Sequence, residues 1–66
     1  MEENVEGQIE LLTVKEVAKL LHLSEPGVRD LQARRHLPFI KVGGALRFEK
    51  RDIIEYIKRR KVASMI

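Results

Sequence analysis

The chain has 66 residues, no cysteine and a formal net charge of +3 at pH 7. This length allows one small domain with a modest core, and the lack of cysteine removes disulfides and thiolate metal ligands as supports. No apolar run approaches the roughly 20 residues of a membrane span, and the acidic start MEENVEGQIE does not have the pattern of a secretory signal. We therefore expect a soluble cytoplasmic protein.

The charge is divided unevenly along the chain. Residues 1–10 contain four glutamates and no lysine or arginine, which leaves a charge of +7 on the other 56 residues. Such an excess attracts polyanions, nucleic acid first, although a generic solubilising surface would look the same. We interpret residues 1–10 as a flexible acidic tail, 11–62 as the domain and 63–66 as a C-terminal tail. One hypothesis for the acidic tail is that it competes with phosphate for the basic face.

The first predicted helix spans residues 14–21. Thr13 followed by Glu16 has the pattern of a capping box. Apolar residues then recur at the spacing of one helix face: Val14, Val17, Ala18 and Leu21.

The second predicted helix follows a short turn. Ser24 is a good N-cap, and Pro26 suits a first turn because the N–H that proline lacks has no partner there. The helix should end near Arg34 or Arg35, ahead of the HLP sequence. Its apolar face would meet the first helix through Val28 and Leu31, with Leu23 closing the corner. Two short amphipathic helices joined in this way indicate a helix-turn-helix.

The outward face of the second helix carries the side chains available for recognition. If Val28 faces the core, the 100° step per residue turns Pro26, Arg29, Asp30 and Ala33 outward, with Glu25 and Gln32 at the flanks. Arg29 is the strong donor of this set. Asp30 has three interpretations: it accepts from a cytosine amino group, it orients Arg29, or it is simply solvated.

The segment PFIKVGGALRFE predicts a β-hairpin, with two alternatives for its register. A two-residue loop of Gly43 and Gly44 would pair Ile40 with Arg47. A three-residue loop would instead pair Val42 with Leu46 and Ile40 with Phe48, leaving Lys41 and Arg47 together on the other face. We favour the second, because burying an unpaired guanidinium costs several kcal/mol while an imperfect turn costs about one.

The last predicted helix begins at Glu49. Its apolar stripe is Ile53, Ile54 and Ile57, and Asp52 favours the N-terminus. The basic run at 58–61 complements the C-terminal dipole, and a membrane or partner contact is the less economical interpretation.

Catalytic motifs are missing from the sequence. The two histidines, His22 and His36, fall in connectors, and there is no HExxH, Walker or GxSxG pattern. Gly43 and Gly44 are better explained as a hairpin turn than as a phosphate cradle. We expect no enzyme, no metal and no cofactor.

The order of these segments resembles a known family. LLTVKEVAKLLHLSEPGVRDL followed by LPFIKVGGALRFEKRDIIEYI is similar, over residues 11–58, to the excisionase-like, MerR-like winged helix-turn-helix family. The shared elements are the LTVKEVAKLL helix, LS at the turn, Arg29, LP before the wing, VGGALRF, and RDIIEYI with Tyr56 where tryptophan is frequent. The family usually starts its second helix with basic or hydroxyl residues, whereas this chain has Glu-Pro-Gly, and its wing tip is uncharged.

The resemblance implies a mainly α fold with a small β-hairpin, the winged helix-turn-helix, that binds double-stranded DNA. The second helix would enter the major groove, and the wing would touch the backbone and minor groove. Arg29 and Arg47 match positions that commonly contact DNA. Stand-alone members of this size are often excisionases, which bend DNA and bias an integrase, or small transcriptional regulators.

Our leading interpretation is a nucleoid-associated DNA-binding protein without enzymatic activity. The candidate DNA-binding residues are Arg29, Gln32, Arg34, Arg35, Lys41, Arg47, Lys15 and Lys19. For Arg34 and Arg35, helix capping is an equally good explanation. Candidate partners besides DNA are an integrase or recombinase, the transcription machinery, and further copies binding cooperatively; no membrane is expected. The alternative is a protein-interaction module that recruits a recombinase, replication or transcription partner.

Overall fold

The computed structural model describes residues 9–62. Three helices and a small antiparallel sheet follow one another in the order β1 (Leu11–Leu12), α1 (Val14–Leu21), α2 (Glu25–Ala33), β2 (Ile40–Val42), β3 (Ala45–Glu49) and α3 (Lys50–Arg60). The predicted mainly helical chain with a small β-hairpin is confirmed in this form. Most of the predicted acidic tail and all of the predicted C-terminal tail lie outside the described residues.

Helix α1 begins and ends on specific backbone contacts. The Glu16 N–H donates to Thr13 Oγ1 at 3.1 Å, and the Thr13 N–H donates to Glu16 Oε1 at 2.9 Å, so the predicted capping box is present. At the other end, His22 adopts a left-handed conformation with φ 59°. The Leu23 N–H then reaches the Ala18 carbonyl at 2.9 Å, which closes the helix and turns the chain toward α2.

Helix α2 begins with the Glu-Pro-Gly sequence, and the cap explains the glycine. Ser24 Oγ accepts from the Gly27 N–H at 3.1 Å. A Cβ on residue 27 would lie 3.3 Å from that same oxygen, so glycine leaves the cap undisturbed. The helix ends at Ala33, slightly before the predicted end near Arg34 or Arg35.

The core is formed where α1, α2, β3 and α3 meet. Its fully buried side chains are Val17, Val28, Leu37, Phe48 and Ile53. Two predicted packing contacts are wrong: Leu23 is 45% exposed rather than closing the corner, and the stripe on α3 buries only Ile53. Leu37, which follows α2, is also buried in the core, and the sequence pattern did not indicate it as a core residue.

The hairpin has the register that we did not favour. Ile40 pairs with Arg47, Lys41 with Leu46 and Val42 with Ala45. Gly43 and Gly44 both have positive φ, 53° and 88°, as a two-residue hairpin turn requires. The expected cost of burying Arg47 does not arise, because its face of the hairpin is not packed on the core: Ile40 and Val42 are exposed there, while Phe48 on the other face is buried.

A third strand extends the predicted two-stranded ribbon. Strand β1 pairs antiparallel with β3, Leu11 opposite Glu49 and Leu12 opposite Phe48, so the strand order is β1-β3-β2. The Lys50 N–H donates to the Glu10 carbonyl at 2.8 Å and continues the pairing by one step. The sheet thus fixes the point at which the chain enters α1. In the part of the chain from residue 9 to residue 62, no helix is both long enough and apolar enough to cross a membrane.

Candidate nucleic-acid interface

The exposed face of α2 is the one that the helical spacing predicted. Pro26, Arg29, Asp30 and Ala33 are exposed, while Val28 is completely buried. Gln32, expected at the flank, is half-buried. Arg29 therefore extends from a helix whose opposite side is fixed in the core.

Asp30 forms an ion pair with Arg34 instead of Arg29. The distance from Arg34 Nε to Asp30 Oδ2 is 3.2 Å, one helical turn apart. Within residues 9–62, no carboxylate lies within 4.0 Å of the Arg29 guanidinium. Asp30 thus neutralises Arg34 in part and does not neutralise Arg29, its neighbour in the sequence.

Three cations from separate elements line one cleft of about 360 Å³. Lys15 comes from the first turn of α1, Arg29 from α2 and Arg47 from β3. The remaining lining residues are Thr13, Val14, Glu25, Gly44 and Leu46. We call this feature the three-cation cleft. With three cations and one carboxylate, its lining favours an anionic ligand.

Arg47 is held in place by the strand that carries it. The residue is half-buried, and its Nη1 donates to the Leu46 carbonyl at 2.8 Å. A guanidinium tethered in this way loses less conformational entropy when it binds an anion. The prediction that Lys41 and Arg47 share a face of the hairpin is wrong. Lys41 pairs with Leu46 and lies on the face opposite to Arg47.

The other predicted site residues do not line the cleft. Lys19 lies one turn further along α1 than Lys15, Arg34 is paired with Asp30, and Arg35 follows the end of α2. The sequence did not indicate four of the lining residues, Thr13, Val14, Gly44 and Leu46, and it placed Glu25 only at a helix flank. Residues 13–15, 25–29 and 44–47 meet only through tertiary packing, so no local pattern could have grouped them.

Arg35 occupies a backbone conformation that ordinary residues avoid. Its φ is 67°, and its N–H donates to the Gln32 carbonyl at 3.0 Å, while the His36 N–H reaches Leu31 at 2.9 Å. These bonds end α2 in the manner for which glycine is usually chosen. The left-handed conformation costs an arginine about 1–2 kcal/mol.

We expect Arg35→Gly to stabilise the domain while weakening DNA binding. Relief of the left-handed strain, less the higher entropy of glycine in the unfolded chain, should leave a net gain of about 0.5–1 kcal/mol. Thermal unfolding followed by circular dichroism measures this gain, and a duplex titration measures the affinity. Arg34→Gly is the control, since Arg34 has φ −83° and should lose stability. If Arg35→Gly binds duplex DNA with unchanged affinity, Arg35 does not contact DNA and serves only to end α2.

The two histidines do not form part of a metal site in the described residues. His22 and His36 are both exposed and lie after α1 and α2 respectively. Within the described part of the chain, no group of three or more histidine, cysteine, aspartate or glutamate side chains could hold a metal ion.

Comparison with protein families gives one match. The helix-turn-helix domain model matches residues 11–61, which include all six helices and strands. No curated protein and no solved structure matches the chain significantly. The family comprises excisionase-like and MerR-like DNA-binding proteins, and its helix-turn-helix domains are typically non-enzymatic. The chain therefore belongs to the helix-turn-helix domain family, and its fold is that of a DNA-binding domain.

Proposed function

We propose that this protein binds double-stranded DNA through α2 and the three-cation cleft, as an excisionase or a small transcriptional regulator. Helix α2 would enter the major groove, and the β2–β3 hairpin would act as the wing on the backbone and adjacent minor groove. The observation that carries the proposal is the convergence of Lys15, Arg29 and Arg47 beside the exposed face of α2.

The cleft suits a DNA backbone better than a small ligand. Its charge comes from long side chains on three elements, and phosphates spaced along a strand can engage such side chains together. Gly44 at the hairpin tip carries no side chain, so DNA can approach the backbone closely there. Lys19, Lys41, Arg34 and Arg35 would add contacts outside the cleft, and Gln32 would contribute to base readout.

Arg29 and Arg47 are expected to contribute differently to binding. Arg29 extends from the exposed face of the recognition helix, so Arg29→Ala should relax preference at one base position and cost about 1–3 kcal/mol. Arg47 lies on the hairpin, and Arg47→Ala should weaken all duplexes almost uniformly. The measurement is a titration against a duplex selected from a randomised pool and its single-base variants. Equal effects of both substitutions on every duplex would mean that α2 is not a reader.

A second candidate function is a protein-interaction module. The observation in its favour is on α3, where Ile54 and Ile57, one turn apart, are 41% and 40% exposed. Such a module would recruit a recombinase, replication or transcription partner through the same fold. This second function predicts that duplex DNA causes no amide NMR shifts in α2 or the hairpin, whereas the first function predicts such shifts.

A further inference from the structure

We propose that the N-terminal residues 1–8 dock onto the three-cation cleft and compete there with DNA. The proposal rests on the proposed function, since it regulates the same surface. Glu2, Glu3 and Glu6 would occupy positions that DNA phosphates take in the complex, so the protein would carry its own competitor.

The first support is charge complementarity. The cleft is lined by three positively charged side chains, those of Lys15, Arg29 and Arg47. Among residues 9–62, none of the three has a carboxylate within 4.0 Å. The segment before Ile9 has three glutamates and no lysine or arginine. Three negative side chains in this segment thus match a lining with three positive side chains and the single carboxylate of Glu25.

The second support is the place where this segment enters the domain. Glu10 is fixed by Lys50, through the backbone bond of 2.8 Å and an ion pair of 3.7 Å between Oε1 and Nζ. Thr13, only three residues later, already lines the cleft. Three residues of extended chain cover about 10 Å, so the segment joins the domain about that far along the chain from the cleft.

The third support is reach. Eight residues span at most roughly 26–29 Å when fully extended. This length exceeds the roughly 10 Å of chain between Glu10 and Thr13, which lines the cleft. Strand β1 runs from its pairing with Glu49 toward the hairpin tip, so docking of residues 1–8 would require a reversal of chain direction before Ile9. Gly7 in the sequence provides a residue that makes such a turn without steric cost.

Tethering makes a weak contact effective. A short linker gives an effective concentration in the millimolar range, enough to populate ionic contacts that free peptides would not form. Screening weakens these contacts as salt rises, because the Debye length falls from about 30 Å at 0.01 M to about 10 Å at 0.1 M. Competition should therefore be strong only at low salt.

The test uses the full chain with a single spin label. Because the sequence has no cysteine, Asn4→Cys gives one labelling position. At about 20 mM salt we expect paramagnetic broadening of the amides of Lys15, Arg29 and Gly44, but not of Lys58 on α3. The broadening should disappear at high salt, on addition of duplex DNA, and in the triple variant Glu2→Gln, Glu3→Gln and Glu6→Gln.

The triple variant also gives the functional readout. It should bind a mixed-sequence duplex roughly 3–10-fold more tightly than the parent chain at about 20 mM salt, and equally at about 0.3 M. Absent or uniform broadening overturns docking, even if affinity rises, since tighter binding alone would reflect long-range screening. Unchanged affinity overturns the competition. If neither chain binds duplex, the proposed function fails, while the labelling result still decides whether the segment docks.

Discussion

Replacing Lys15, Arg29 and Arg47 together by glutamine is expected to remove most DNA binding at physiological salt. Each phosphate contact adds about 0.9 to the slope of log affinity against log salt, so three lost contacts should lower the slope by about 2.7. At about 0.1 M salt this corresponds to a loss of roughly 10²–10³-fold in affinity. The measurement is a duplex titration at four or five salt concentrations.

The matched control removes the same charges from another surface. Lys58, Arg59 and Arg60 on α3 are also one lysine and two arginines, and none of them lines the cleft. Glutamine at these three positions should change affinity far less, while circular dichroism checks that both variants remain folded. An equal loss in both variants would mean that binding follows net charge and that the cleft has no special part in it.

Phe48→Ala is expected to unfold a large part of the population. Phe48 is fully buried on β3, where it pairs with Leu12 of β1. Truncating a buried phenylalanine costs about 3–5 kcal/mol. A domain of this size has a total stability of roughly 3–10 kcal/mol, so the change removes much or all of it.

Urea unfolding followed by circular dichroism measures this loss. Ile54→Ala is the control, because Ile54 is 41% exposed and its truncation should cost less than about 1 kcal/mol. Similar losses in the two variants would contradict the observed core, in which Ile53 is buried and Ile54 is not.

The helices could be predicted because their signals are local. Thr13 with Glu16, and Ser24 ahead of Pro26, specify where α1 and α2 begin through contacts within one turn. The exposed face of α2 then follows from the position of Val28 and the helical period. The structure agrees with these predictions to within one or two residues.

The sheet was harder to predict because its energetics depend on what covers it. The register preference assumed that the face carrying Arg47 is buried, but Ile40 and Val42 on that face are exposed. Because Arg47 is only half-buried and bonds the Leu46 carbonyl, its charge costs little, and the turn preference of Gly43 and Gly44 decides the register. Strand β1 has only two residues, too few for an alternating pattern to indicate it.

The cleft could be predicted only in part. Lys15, Arg29 and Arg47 were each expected to contact DNA, but their convergence depends on the packing of α1, α2 and β3. Helix geometry also determines the ion-pair partner of Asp30. Arg34 lies one turn along the helix and faces Asp30, whereas Arg29, although adjacent in the chain, does not. Three of the predicted site residues line one cleft, and this grouping depends on tertiary contacts that no local pattern carries.

The most direct test of DNA binding by this face is an amide NMR titration of the full chain with a mixed-sequence duplex at low salt. We expect shifts at Lys15, Arg29, Gly44 and Arg47 that diminish as salt is added, with little change at Ile54 and Ile57. Shifts confined to α3 would contradict the proposed interface and place DNA on another surface. No shift at saturating duplex would contradict DNA binding itself and favour the protein-interaction module.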